Sequence, residues 1–139
     1  MRKGTYVLAI LLRKPFEGRV GSLGPLFFGE GEYCYVGSAM NGLDQRIERH
    51  ISRNKIVRWH IDRLTLFGDS VRAYESYPDS IPECDLAAMA RSCGMEPAAK
   101  GFGCSDCKCQ THLFKAVGDT LQRLVSEAGL RAYVSDVSR

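Results

Sequence analysis

Three cysteines crowd into C-S-D-C-K-C, at Cys104, Cys107 and Cys109, and His112 follows three residues after the last. Zinc accepts three thiolates and one imidazole in a tetrahedron, so this set is a candidate metal site. Structural zinc sites usually draw paired ligands from two separated knuckles. A Cys-rich loop folded tightly at Gly101 and Gly103, or a disulfide between two of the thiols, therefore stands beside zinc as an alternative. Cys34, Cys84 and Cys93 fall in apolar or helical patterns and read as small buried residues. A second chemistry lies in the charge distribution. Residues 1–63 carry eleven Lys/Arg against six Asp/Glu, whereas residues 64–139 carry eight against ten. The excess peaks between Arg46 and Arg63, where Arg49, Arg53, Lys55 and Arg58 form a surface suited to a nucleic-acid backbone. The ordinary alternative is a solvated helix face.

These residues need elements to position them. Tyr6 to Leu12 has the content of a buried strand, and Tyr33 to Ser38 reads as another. Between them, residues 13–32 are punctuated by glycines and predict hairpins. Leu43, Ile47 and Ile51 recur every four residues, which predicts a helix over Leu43 to Arg53 with Arg46 and His50 on one flank. Val57 to Phe67 makes a second helix ended by Gly68. Ser70 to Tyr77 alternates as a strand. Pro82 opens a third helix over Glu83 to Cys93, stopped by Gly94. A short strand over His112 to Val117 and an amphipathic helix over Val117 to Ala128 complete the order. The expected fold is α+β, a small mixed or antiparallel sheet flanked by helices.

Two tyrosine–glycine clusters sit on neighbouring expected strands, Gly4-Thr5-Tyr6 and Tyr35-Val36-Gly37. Arg46 follows nine residues after Gly37, and Glu83 opens a later helix. These pieces, in this order, resemble the GIY-YIG nuclease superfamily. Together with R-I-E-R-H, W-H-I-D and G-F-G-C-S-D-C-K-C, they resemble a compact, mostly uncharacterised GIY-YIG-like family of archaea and some bacteria. The resemblance spans Gly4 to Phe114. It implies a nuclease domain over residues 1–114, with a hairpin insertion at 13–32 and the Cys-rich loop at 101–112, and leaves 115–139 as a helical extension. Tyr6 and Tyr35 stand 29 residues apart, farther than in the better-known nucleases. A longer loop adds only slowly to closure entropy, so the strands can still pair while the insertion reshapes the groove.

The resemblance implies metal-dependent hydrolysis of phosphodiester bonds, with DNA in a repair setting as the expected substrate and repair proteins as expected partners. Tyr6 takes the role of base, and Tyr35 orients water or phosphate. A phenol near its ordinary pKa of about 10 needs neighbouring cations and hydrogen bonds to act so. Arg46 can fork two donors onto phosphate oxygens. Glu83 would hold one Mg²⁺ or Mn²⁺, with Asp85 as its rival. His50 and His60 are further candidates for proton transfer. Each residue also has an ordinary use: the tyrosines as sheet packing, Arg46 as helix surface, Glu83 as a favourable charge at a helix N-terminus.

Composition sets outer bounds. With 139 residues and a net charge of +3, the chain suits one domain. Its longest apolar run, Tyr6 to Leu12, falls far short of the roughly 18 residues of a membrane span. No cleavage pattern follows that run, and the expectation is a soluble cytoplasmic protein. Two other functions stay open: a noncatalytic nucleic-acid-binding module on the same scaffold, and a zinc-stabilised interaction domain.

Overall fold

Strand β1 (Gly4–Leu12) is apolar at its odd and its even positions alike, which demands burial on both faces. The computed structural model, which describes residues 1–104 and 107–134, places it in the middle of the main sheet. After β1 come a hairpin of β2 (Phe16–Arg19) and β3 (Pro25–Phe28), then β4 (Gly31–Ala39), α1 (Leu43–Ile51), α2 (His60–Phe67) and β5 (Ser70–Ser76). The chain continues through α3 (Glu83–Ser92), β6 (Glu96–Pro97), β7 (Leu113–Lys115), α4 (Thr120–Ala128) and β8 (Arg131–Ala132). Six strands pair antiparallel in the order β6-β7-β4-β1-β5-β8, and β2-β3 form a separate two-stranded ribbon. The fold is α+β, as expected, with helices on both faces of one antiparallel sheet.

Side chains alternate across a strand, and β1 uses both sets. Tyr6, Leu8, Ile10 and Leu12 join Leu43 and Ile47 of α1 and Ile61 and Leu64 of α2 in one core. Val7 and Ala9 join Leu86 and Ala90 of α3 and Leu121 and Leu124 of α4 in the other. The expected domain boundary near residue 114 falls inside β7. Beyond it, α4 fills the second core and β8 pairs with β5, so residues 115–134 are built into the sheet and its packing. Residues 135–139 of the expected extension lie outside the described residues, as do 105 and 106 of the Cys-rich loop. Three helices are shorter than their apolar pattern predicts. The chain leaves α1 at Ser52, α2 starts at His60 rather than Val57, and α4 starts at Thr120. The two-residue strands β6 and β8 carry too few residues to show a period. Among the described residues no helix is long and apolar enough to cross a membrane.

The glycines of both tyrosine clusters mark close approaches. Tyr6 on β1 stands opposite Gly37 on β4. A Cβ built on Gly37 would overlap the Tyr6 hydroxyl and ring. A Cβ on Gly4 would sit 2.6 Å from Ser80 Oγ and 2.9 Å from the Ser76 carbonyl. Gly37 therefore lets the Tyr6 ring lie flat across its neighbour strand. A Gly37→Ala substitution is expected to lower unfolding free energy by about 1–3 kcal/mol, the usual cost of overpacking a well-filled site. Gly18→Ala, whose Cβ would meet only ordinary contacts at 3.4 Å and beyond, should stay within about 0.5 kcal/mol of wild type. Urea denaturation checks both, and equal stability of the two variants would contradict this packing.

Candidate active-site cleft and thiol cluster

Burial of Tyr6 among apolar neighbours turns its hydroxyl toward the few polar groups within reach. The Tyr6 Oη lies 2.8 Å from Nε2 of His50, which α1 presents one turn beyond Arg46. Both rings are almost wholly buried. Burial pushes the Tyr6 hydroxyl up to about 12, with Arg46 pulling against it and Glu83 adding to it. Burial likewise drives His50 down to about 3, assisted by Lys55. The resting pair is thus a neutral phenol against a neutral imidazole. His50 Nδ1 finds no hydrogen-bond partner among the described residues.

Arg46 lies across Trp59, its guanidinium carbon 4.7 Å from the ring centroid, and donates from Nη1 to the Ser38 carbonyl at 3.2 Å. Glu83 arrives from the first turn of α3. Tyr6, Tyr35, Arg46, His50 and Glu83 all line one open cleft of about 270 Å³, together with Gly37 and Trp59. Sequence reasoning placed these five in one site, and they stand in one cleft. Asp85, the rival to Glu83, is exposed and does not line it. Burial raises the Tyr35 hydroxyl well above the usual phenol range.

His60 belongs to an adjoining cleft of about 380 Å³, where it packs edge-on against Phe102. The two clefts share Tyr35, Trp59, Ile61 and Gly103 in their walls, so they adjoin one another. Ser22 and Leu23 of the insertion line the larger of them. Gly103, in the left-handed region at φ 75°, lets the Cys-rich loop pack close against Tyr35, since a Cβ built on it would sit 3.0 Å from the Tyr35 ring and 3.2 Å from its hydroxyl.

Of the four cations expected at a nucleic-acid surface, Arg49, Arg53 and Lys55 donate to groups of the chain itself. Arg49 forks onto the Asp62 carboxylate with two contacts of 2.9 Å. Arg53 donates to the carbonyls of Thr65, Leu66 and Gly68 at the end of α2. Lys55 donates to the carbonyls of Arg49 and His50 and to Thr65 Oγ1. Arg58 lines the adjoining cleft. Sequence reasoning missed the group that organises this stretch, Asp62. Its carboxylate is 0% exposed, and it also accepts from the backbone N–H groups of Arg58 and Trp59. Burial opposes its charge, but Arg49 and those N–H groups hold its pKa down to about 2. The signal was an acid three residues after Trp59 at a helix start, where a carboxylate can cap the first turn.

Next to the cleft, the ligand atoms of Cys84, Cys107, Cys109 and His112 all lie within 4.8 Å of one another and could hold a metal. The sequence-based set is corrected in one member. Cys84, read as buried packing, is exposed in the first turn of α3, and it replaces Cys104 in the cluster. Cys104 lines the adjoining cleft, its thiol 3.5 Å from the Phe102 carbonyl and in side-chain contact with Cys107, so it borders the cluster without being one of its four members. Cys34 and Cys93 are buried, as expected, and all six thiols are free. His112 Nε2 faces Cys107 at 3.5 Å and Cys84 at 4.0 Å. Its Nδ1 lies 2.8 Å from Glu83 Oε2, close enough for an ion pair though not aligned as a full hydrogen bond. That carboxylate, acting first of all through its contact with the ring, raises the proton affinity of His112.

The chain belongs to the family described as Domain of unknown function DUF123, which it matches over residues 5–133. No curated protein and no solved structure matches it.

The neutral, buried His50 has a consequence for stability. In the unfolded chain histidine titrates near 6.5, whereas folded His50 holds out to about 3. The unfolded state takes up the proton first, so this contribution is complete above the unfolded value and is lost as pH falls. From about pH 7 to about pH 5 it amounts to about 2 kcal/mol. His112, with its raised value, acts with the opposite sign, so the measured quantity is the difference between wild type and His50→Gln. Urea titrations across that range should show a steeper acid loss in wild type by about this amount, and parallel curves would contradict a buried neutral His50.

Proposed function

We propose that this member of the DUF123 family hydrolyses phosphodiester bonds in nucleic acid, with DNA of the kind met in repair as its substrate and with Mg²⁺ or Mn²⁺ as its ion. The observation that carries the reading is the convergence of Tyr6, Tyr35, Arg46, His50 and Glu83 on one open cleft. These residues come from two strands and two helices, and ordinary packing has no need to bring them together. The resemblance to GIY-YIG nucleases supplies the roles.

Phosphodiester hydrolysis needs a proton taken from water and charge neutralised on the phosphate. A proton passing from water to Tyr6 Oη can be matched by Tyr6's own proton passing to His50 Nε2, 2.8 Å away. A neutral imidazole is the right state to receive it. Arg46 commits one donor to Ser38 and offers others to nonbridging oxygens, and Trp59 holds its plane. Tyr35 positions water or phosphate from the neighbouring strand. Glu83 fits a hard divalent ion, since its side chain is 30% exposed and one oxygen remains beyond the His112 contact. When bound, the ion would stabilise charge developing on the leaving oxygen. The adjoining cleft extends the groove past His60 and Arg58, giving a strand a path toward Ser22 and Leu23.

Purified protein incubated with branched, nicked and single-stranded DNA should cleave at least one of them with Mg²⁺ or Mn²⁺ present. Arg46→Ala should lower the rate by about 10²–10³-fold, and Tyr6→Phe or His50→Gln by about 10²–10⁴-fold. Glu83→Gln should abolish the cleavage that Mg²⁺ or Mn²⁺ supports. Cleavage indifferent to Arg46 and Glu83 would remove this assignment. Salt-sensitive binding with no cleavage under any metal would identify a noncatalytic binding module instead.

A further inference from the structure

The thiol cluster has the chemistry of a metal site different from the one the cleft requires. Three sulfurs and an imidazole nitrogen are soft or borderline donors, unsuited to Mg²⁺ and well suited to Zn²⁺. Zn–S and Zn–N bonds of about 2.3 Å and about 2.0 Å in a tetrahedron place sulfur and nitrogen about 3.5 Å apart. His112 Nε2 stands 3.5 Å from Cys107 and 4.0 Å from Cys84, so small side-chain movements would close the site. The ligands also come from two separated pieces of chain, the start of α3 and the segment leading into β7, as structural zinc sites prefer.

A ligating histidine normally gives its second ring N–H to a carboxylate, which fixes the ring and strengthens it as a donor. His112 turns Nε2 toward the thiols and Nδ1 toward Glu83 Oε2. Glu83 in turn lines the cleft with Tyr6 and Arg46. One carboxylate therefore stands between the two sites. We propose that Cys84, Cys107, Cys109 and His112 bind one Zn²⁺, and that the zinc-bound His112 orients Glu83 toward the cleft. The first half stands on the cluster alone; the second rests on the cleft reading of Glu83. His112 is a positioning residue here, because it acts on the cleft through Glu83.

Untagged full-length protein, analysed for metal by mass spectrometry, should carry about one zinc per chain, as a complete four-ligand site holds its ion through purification. Cys84→Ser should lose that zinc, and Cys104→Ser should keep it. Cobalt substituted into the wild-type chain should give tetrahedral d–d bands and strong thiolate-to-cobalt charge transfer, a readout that does not depend on any variant folding. Glu83→Gln should still load zinc but bind it about 10–100-fold more weakly against a chromophoric chelator. Absence of zinc together with absence of thiolate–cobalt bands would overturn the site. Loss of zinc in Cys104→Ser with retention in Cys84→Ser would overturn the ligand set, and unchanged affinity in Glu83→Gln would overturn the link to the cleft. None of these measurements involves nucleic acid, so they stand or fall apart from the cleavage assays.

Discussion

Burying β1 on both faces leaves its alternate side chains no choice of partner, and the rest of the molecule is arranged around that constraint. Leu8, Ile10 and Leu12 must meet α1 and α2, while Val7 and Ala9 must meet α3 and α4. Tyr6 belongs to the first set, yet it carries a hydroxyl into a space with little water. That hydroxyl needs a polar neighbour, because an unpaired buried group is costly. His50 supplies it from α1, and the same helix brings Arg46. The glycine opposite Tyr6, Gly37, leaves the space that the Tyr6 ring and hydroxyl occupy. A packing rule thus places the reactive groups before any ligand is considered.

The basic stretch shows how charge count and charge function separate. Between Arg46 and Arg63 the composition suggests a nucleic-acid surface, but a single buried carboxylate, Asp62, redirects Arg49 inward. Arg53 and Lys55 then close helix ends and a loop that would otherwise leave carbonyls unpaired. Arg46 and Arg58 are the cations of this stretch that line the groove walls. Sequence spacing cannot distinguish a phosphate-binding arginine from one that caps a helix, since both roles favour the same side chain on the same segment.

Much of the fold was legible because β1 is a continuous apolar run, α1 has a clear apolar period and α3 is bracketed by Pro82 and Gly94, and the boundaries of these elements moved by only a few residues. Tyr6, Tyr35, Arg46, His50 and Glu83 were legible as one set through motif order. Cys84 was not, because it lies 23 residues before Cys107 and inside a helical pattern that suggested packing. The preference of zinc sites for two separated ligand pieces was the available hint, but Cys34, Cys84 and Cys93 all satisfied it. Only the folding of α3 against the segment before β7 selects Cys84. The same juxtaposition sets Glu83 between His112 and the cleft, a relation that adjacency of Glu83 and Cys84 in sequence could not reveal.

The central claim, that this cleft receives a phosphodiester, is tested most directly by a crystal structure with a hydrolysis-resistant phosphorothioate oligonucleotide and Mn²⁺, located by anomalous scattering. A backbone phosphate should lie against Arg46 and the Tyr6 hydroxyl, with manganese at the free oxygen of Glu83 and the strand continuing past Tyr35 toward His60. An oligonucleotide bound on the α3–α4 face, or manganese sited away from Glu83, would contradict the account.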